Sequence, residues 1–497
     1  TEIGSAEVMR LLNSRRMPAN PVSVAVAQMV PAPAPDGKTY SFQLRPGVRY
    51  SDGTPVRASD FRFSIERLFT INPEAAPLFD GLVGATRCLS RKGKPCALSE
   101  GIEVDDKAGT IVIRLTETDP DFFHKLALPS ASMVSARTPV RAQRARAVRG
   151  TGPYRVASLG SDRLRLVRNP HFRSWSTEAR PEGYPSEIHF HLGDDVDARF
   201  DAVEKGAADW VSAAALSAER LRGALTRHGD RLHSDPEPFT FWMFLNTRVP
   251  PFDDERVREA VNYATDRGAL VEQTGGTILG AVTCQIVPQA FPAYRPYCPF
   301  TRNPNPAGTW TAPDLGKARA LVAASRTQKM RVEVLVINLP QARTVGGYFV
   351  SLLRQLGYRS SLRTFADGAA YFRFVADSRN RAQVGQAGIF ADILAPSTFL
   401  NGSLTCAAFI PRTSANSNLS EFCDRAIDAK AARAAALQAW DPVRADELWA
   451  QVDRALVDRA VAVPIVNVRN RVFVSERVGN VQNHPLWGTL LDQLWVK

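Results

Sequence analysis

Two short stretches of this chain carry side chains whose types and spacing could do chemistry. In His189-Phe190-His191 the imidazoles alternate along a strand and so share a face, with Asp194 and Asp195 just beyond. That pattern suits one metal ion and a metal-activated water, hence a hydrolase. Solvent-facing histidines on a strand edge have the same spacing, and no metal is expected. The second stretch, AGIFADILAPSTFLNGSLTC (387–406), is a strand ending in Asp392, then a proline-broken loop of small polar residues. A carboxylate beyond a strand's carboxyl end faces the crevice where open α/β sheets bind ligands. The same aspartate could equally cap a helix or a turn. Asp52, beside Gly53, reads as a turn aspartate. P-loop, GxSxG, HExxH and EF-hand patterns are absent, so no catalytic residue is assigned and no cofactor is expected.

The six cysteines fall as three local pairs, Cys88/Cys96, Cys284/Cys298 and Cys406/Cys423. An even count without CxxC argues against a zinc ribbon or a thioredoxin-like redox motif. Nearest-neighbour pairing closes short loops and implies an oxidising, extracytoplasmic compartment. Three sets of buried free thiols are the alternative. The formal net charge of +12 raises nucleic acid as a partner. The densest basic stretch, RTPVRAQRARAVRG (137–150), joins neither exposed aromatics nor a docking motif, so it reads as a solvated loop. No nucleic acid is expected.

The elements that must position these residues alternate. TYSFQLRPGVRYSDGTPVRASDFRFSIERL (39–68) opens as a period-two strand, turns at Pro46-Gly47 and Ser51-Asp52-Gly53, and enters a helix for which Ser59 is the expected N-cap. In the second half MRVEVLVIN, ARTVGGYFVSLLRQLGY, RSSLRTF, GAAYFRFVADS and AQVGQAGIFAD read as strand, helix, strand, helix, strand. Strand–helix alternation predicts an α/β architecture with parallel sheets covered on both faces. FTFWMFLNT (239–247) and VAVPIVNVRNRVFV (461–474) flank this block. A lobe hung between two such strands has two crossings to the first lobe, the layout of a hinged clamshell. With 497 residues, 44% of them hydrophobic, the chain can bury more than one core, and no apolar run is long enough to span a membrane. The opening residues have no signal-peptide pattern, so the chain is expected to be a mature product or part of something longer.

YSFQLRPGVRYSDGTPVRASDFRFSIERL closely resembles the signature region of the dipeptide- and oligopeptide-binding proteins of bacterial ABC importers. GTGPYRV with LRLVRNPHFRSW, FLNTRVPPFDDERVREAVNYATDRGALV and APDLGKARALVAAS follow in the order of that family's further signatures. The resemblance covers nearly the whole chain. It implies a two-lobed periplasmic-binding-protein-like clamshell of type II, in the large three-subdomain form, with two hinge-crossing strands. The lobes expected are 1–246 with 469–497, including an extra subdomain at about 40–150, and 247–468. It further implies a monomer that captures a short peptide in an interlobe cleft and delivers it to permease subunits, outside the cytoplasm, lipid-anchored or free.

In the family an aspartate following a G-W-x-A-D-like strand holds the peptide's α-ammonium. The matching residues here are Gly388-Ile389-Phe390-Ala391-Asp392. Asp392 is thus the implied ammonium anchor, and Gly388, Ile389 and Phe390 the strand that pairs with the ligand. Asn246 and Trp242 are expected to contribute to binding from the first flanking strand. Ile389 stands in place of the usual tryptophan, and Ala395 where many relatives carry a second aspartate. Cys406 and Cys423 resemble a disulfide of dipeptide-type members. Family members also carry nickel chelates, sugars or opines, and a ligand-sensing domain of a larger regulatory protein is the other alternative.

Overall fold

Tyr40 and Phe42 point to one side of the strand Thr39–Gln43 (β1) and bury there, while Ser41 between them is exposed. In the computed structural model, which describes residues 27, 31, 33–72, 75–91, 93–141, 147–174, 183–191, 195–213, 216–391, 393–438 and 440–497, β1 pairs antiparallel with Thr110–Arg114 (β3). Ile102–Asp105 (β2) pairs with the far side of β3. The helix Ala58–Ile71 lays Phe61, Ile65, Leu68 and Phe69 into the same core. Its start differs from the expectation. The helix opens two residues earlier, with Arg57 at the N-cap; Asp60 accepts from Arg57 N–H at 3.0 Å and Ala136 N–H at 2.7 Å, while Ser59 Oγ donates to Asp106 at 2.8 Å. A carboxylate that reaches two backbone donors outcompetes a hydroxyl for the cap.

By packing, the chain divides into two units, Thr1–Asp209 with Val474–Lys497, and Trp210–Phe473. This division does not coincide with the lobes expected from sequence, because both flanking strands pair within one sheet of the second unit. The first unit holds the core just described and a second antiparallel sheet of Tyr154–Leu159 (β4), Arg163–Arg168 (β5) and Glu187–His191 (β6).

The second unit is built on a seven-stranded mixed sheet. Its strands are Trp210–Ser212 (β7), Leu232–Leu245 (β8), Gly280–Val282 (β9), Arg331–Ile337 (β10), Arg359–Phe365 (β11), Val384–Phe390 (β12) and Ala462–Val474 (β13). The order is β11-β10-β12-β8-β13-β7, with β9 also on β13. β10 pairs parallel with β11 and β12, whereas β12–β8, β8–β13 and β13–β9 are antiparallel, so the sheet is not the wholly parallel one that alternation predicts. Val332, Val334, Leu335 and Val336 make β10 a nearly continuous buried run, as a strand covered on both faces requires. The helices Glu255–Ala264, Leu315–Ser325 and Pro340–Gln355 contribute Val257, Val261, Val322, Phe349 and Leu353 to the core beneath Met243, Leu245, Val463 and Ile465. Asp266, Asp314, Asp367 and Asp441 each accept a backbone N–H at a helix start, at 2.7–3.1 Å.

The structure links Cys88 to Cys96, Cys284 to Cys298 and Cys406 to Cys423. Among the described residues no helix is long and apolar enough to cross a membrane.

Candidate functional site

Among the described residues, the end of β12 is a place inside the sheet, between two strands, where backbone groups lack a neighbouring strand. Its alternation can be assigned from two bonds: Asn246 N–H donates to Gln383 C=O at 2.9 Å, and Ala391 N–H to Pro238 C=O at 3.0 Å. Odd-numbered residues of β12 therefore direct their backbone groups to β8, and even-numbered ones to the opposite edge. On that edge β10 pairs only at Val334↔Val384 and Leu335↔Gly385, whereas β8 continues alongside to Phe239↔Phe390. Among the described residues, the N–H and C=O groups of Gly388 and Phe390 thus face an edge with no strand beside it.

Two glutamines set the length of the β10–β12 junction. Gln383 Oε1 accepts from Glu333 N–H at 2.9 Å, and Gln386 Oε1 from Ile337 N–H at 3.1 Å. The next ladder bond in parallel pairing would run from Ile337 N–H to Gln386 C=O. Instead that carbonyl accepts from the Tyr371 hydroxyl at 2.6 Å. Tyr371 is fully buried on the helix Gly368–Ala376, and burial pushes its phenol well above the ordinary value, so it remains a neutral donor. On the other side, Pro236 and Pro238 occupy β8 positions that would donate toward β12, and lack the N–H to do so.

Gly388 lies opposite Phe241 and has no room for a side chain: a Cβ would stand 2.6 Å from Phe239 Cζ and 3.2 Å from Thr240 C=O. Ile389, half-buried, lies opposite Thr240. Phe390 is 49% exposed at the strand's end. Asp392, two residues on, lies outside the described residues.

Trp242 is 3% exposed and sits in β8 between Ala387 of β12 and Pro464 of β13. It is a packing residue of the sheet. Asn246 is 1% exposed; its Nδ2 donates to Glu421 at 3.0 Å and its Oδ1 accepts from Arg248 N–H at 3.0 Å. With Thr247 N–H on Ser420 C=O and Arg248 Nε on Glu421 C=O, both at 2.9 Å, it ties the end of β8 to the loop closed by Cys406–Cys423. Burial raises the Glu421 carboxyl above its usual range, and the Asn246 amide opposes that shift. The site therefore assembles Gly388, Ile389 and Phe390, and places Trp242 and Asn246 in the packed interior. Sequence reading missed Gln383, Gln386 and Tyr371; Gln383 just before β12 and Gln386 within it are polar residues in an apolar stretch, but nothing local shows what they bond.

His189 and His191 are exposed on β6 as expected, with Asp194 outside the described residues. Glu187 lies between Arg165 and His189 (2.8 Å to Nε2), and the Arg165 guanidinium, seconded by the His189 ring, holds its carboxyl down to about 2. This is a surface ion pair. Among the described residues no group of three or more His, Cys, Asp or Glu side chains could hold a metal ion.

Residues 22–410 match the bacterial extracellular solute-binding proteins, family 5. The chain belongs to that family. It is a family of binding proteins rather than enzymes, which removes the hydrolase reading. The chain is 27% identical over 252 residues to the periplasmic oligopeptide-binding protein OppA of Escherichia coli, a match covering 48% of this chain and 44% of that protein. It is 23% identical over 474 residues to "Probable di/tripeptide-binding protein 5" of Pseudomonas aeruginosa, covering 90% and 82%. Among solved structures, the clavulanic acid biosynthesis oligopeptide binding protein 2 superposes with a TM-score of 0.79 at 25% identity, over 100% of this chain and 92% of that one. The mixed α/β fold of this family's binding proteins therefore extends over the full length. The extracellular class and the three disulfides agree with an oxidising compartment.

Proposed function

We propose that this protein captures a short peptide on the open edge of β12 and delivers it to the permease of an ABC importer. The observation that carries the reading is the unpaired backbone of Gly388 and Phe390. An extended peptide adds there as a strand, through bonds indifferent to its side chains. Oligopeptide- and di/tripeptide-binding relatives make the same ligand class the natural one. Asp392, which follows this strand in the sequence, is proposed as the partner of the peptide's α-ammonium, fixing its register. Closure about the strands 240–246 and 463–467 is part of the proposal, with lobes 1–246 plus 469–497 and 247–468.

Native mass spectrometry of the purified protein, with any co-purified ligand extracted and sequenced, tests the reading. Peptides of two to five residues are expected. Recovery of a nickel chelate, a sugar or an opine, with no calorimetric binding of free-amine peptides, would overturn it.

A further inference from the structure

The fork between β10 and β12 closes immediately beside the open edge, and what closes it bears on the length of ligand the edge can take. We propose that the edge pairs with only three consecutive ligand residues, and that the Tyr371–Gln386 plug bars backbone pairing beyond them. This rests on the peptide reading above.

A strand running antiparallel to β12 forms two-bond pairs at every second residue. If one ligand residue stands opposite Phe390, the residue two further on stands opposite Gly388. Those two positions use all four backbone groups that β12 leaves free on this side. The residue four further on would come opposite Gln386. There the carbonyl already accepts the Tyr371 hydroxyl at 2.6 Å. The neighbouring β10 donor, Ile337 N–H, is covered by Gln386 Oε1 at 3.1 Å. Tyr371 is fully buried, and a Cβ built on Gly385 would lie 2.6 Å from its hydroxyl and 2.9 Å from Leu335 C=O. The strands are thus in direct contact one residue before Gln386, and no ligand can thread between them. A longer peptide must leave the plane of the sheet after its third paired residue, so later residues add no ladder bonds.

N-methylation of a bound peptide reads this out one position at a time, because it deletes a donor and sets a methyl group against the edge. With alanine pentapeptides on the unmodified protein, a methyl on the nitrogen of residue 3, opposite Gly388, is expected to weaken binding by roughly tenfold or more. A methyl on residue 5, opposite Gln386, is expected to change affinity by less than about threefold. Equal losses at residues 3 and 5, or no loss at residue 3, would overturn the proposal. If neither trialanine nor pentaalanine binds at all, the peptide reading itself falls, which is a separate and recognisable outcome.

Discussion

Ile286–Val287 and Gly388–Phe390, both in the second unit, hold backbone N–H groups outside any sheet ladder, and the molecule treats the two in opposite ways. At Ile286 and Val287, beside the Cys284–Cys298 disulfide, both donors are taken at 3.2 Å by Asp453 Oδ1, while Asp453 Oδ2 accepts Gln285 Nε2 at 2.8 Å. Asp453 is 1% exposed and all three of its partners are neutral. At Gly388 and Phe390, among the described residues, no strand fills the edge. The first is a closed cluster that secures a loop; the second keeps its bonding capacity for something from outside. Buried polar groups are nearly always satisfied within a fold, so an unfilled edge beside an exposed aromatic is the part of the sheet that reads as function.

The largest effect expected comes from breaking the closed side. Asp453→Ala strands three buried donors, and chemical denaturation should record a loss of about 3–5 kcal/mol. Peptide affinity of the folded fraction should stay within about threefold of the parent. A loss below about 1 kcal/mol would remove the contrast between the two regions.

On the open side the charged contact comes first. A peptide ammonium withdrawn from water needs a fixed negative partner, and removing that partner is costly. Asp392→Asn should weaken binding of a free-amine tripeptide by roughly 100- to 1,000-fold in calorimetry. An N-acetylated tripeptide should bind the parent weakly and lose little more from the substitution. If acetylation has no effect, Asp392 is a turn residue and the cargo is not an ordinary peptide.

Asp453 also predicts a pH dependence. Burial raises its carboxyl to about 6, against the opposing bonds from Gln285, Val287 and Ile286. Its value in the unfolded chain is about 3.9. Between these values the native state binds more protons than the unfolded one, so the contribution of Asp453 to stability falls as pH rises through the window and is level above it. Asp453→Asn keeps the shape and removes the proton. The stability difference between parent and variant should therefore shift by roughly 2–3 kcal/mol from pH 4 to pH 7, in favour of Asn at the higher pH. A constant difference would mean that Asp453 titrates no differently once buried.

How much of this was legible follows from what each residue depends on. The strand and helix of 39–71 and the strands β10, β11 and β12 were readable because local periodicity alone specifies them. The first half of β8, Leu232–Pro238, was not: its two prolines read as breakers, and only a partner on the β13 side makes a strand of it. Asn246 follows a strand's end and so resembled a ligand contact. Its burial depends on the Cys406–Cys423 loop, some 170 residues later in sequence, folding back over it. The open edge could be inferred from a family resemblance, but its boundary could not. That boundary is set where Gln386 and Tyr371 meet a strand fifty residues upstream, and local sequence carries no sign of the meeting.

The smallest effect sharpens the open side most closely. Gly388 has an ordinary backbone conformation, so alanine there meets no intrinsic strain. What it meets is Phe239 Cζ at 2.6 Å, too close for two carbons, and Thr240 C=O at 3.2 Å. The phenyl tip can swing away, so stability should fall by no more than about 1 kcal/mol. Yet the contact lies between β12 and β8, and relieving it moves Gly388 relative to the edge that holds the ligand. Gly388→Ala should weaken tripeptide binding by roughly three- to tenfold, with the unfolding free energy nearly unchanged. Phe239→Leu removes the ring atoms that the new methyl strikes. In the double variant most of the lost affinity should return, so the two substitutions must be strongly non-additive. Additive losses would mean that Gly388 serves the ligand through its bareness alone, and that the packing of β12 on β8 does not set the position of the edge.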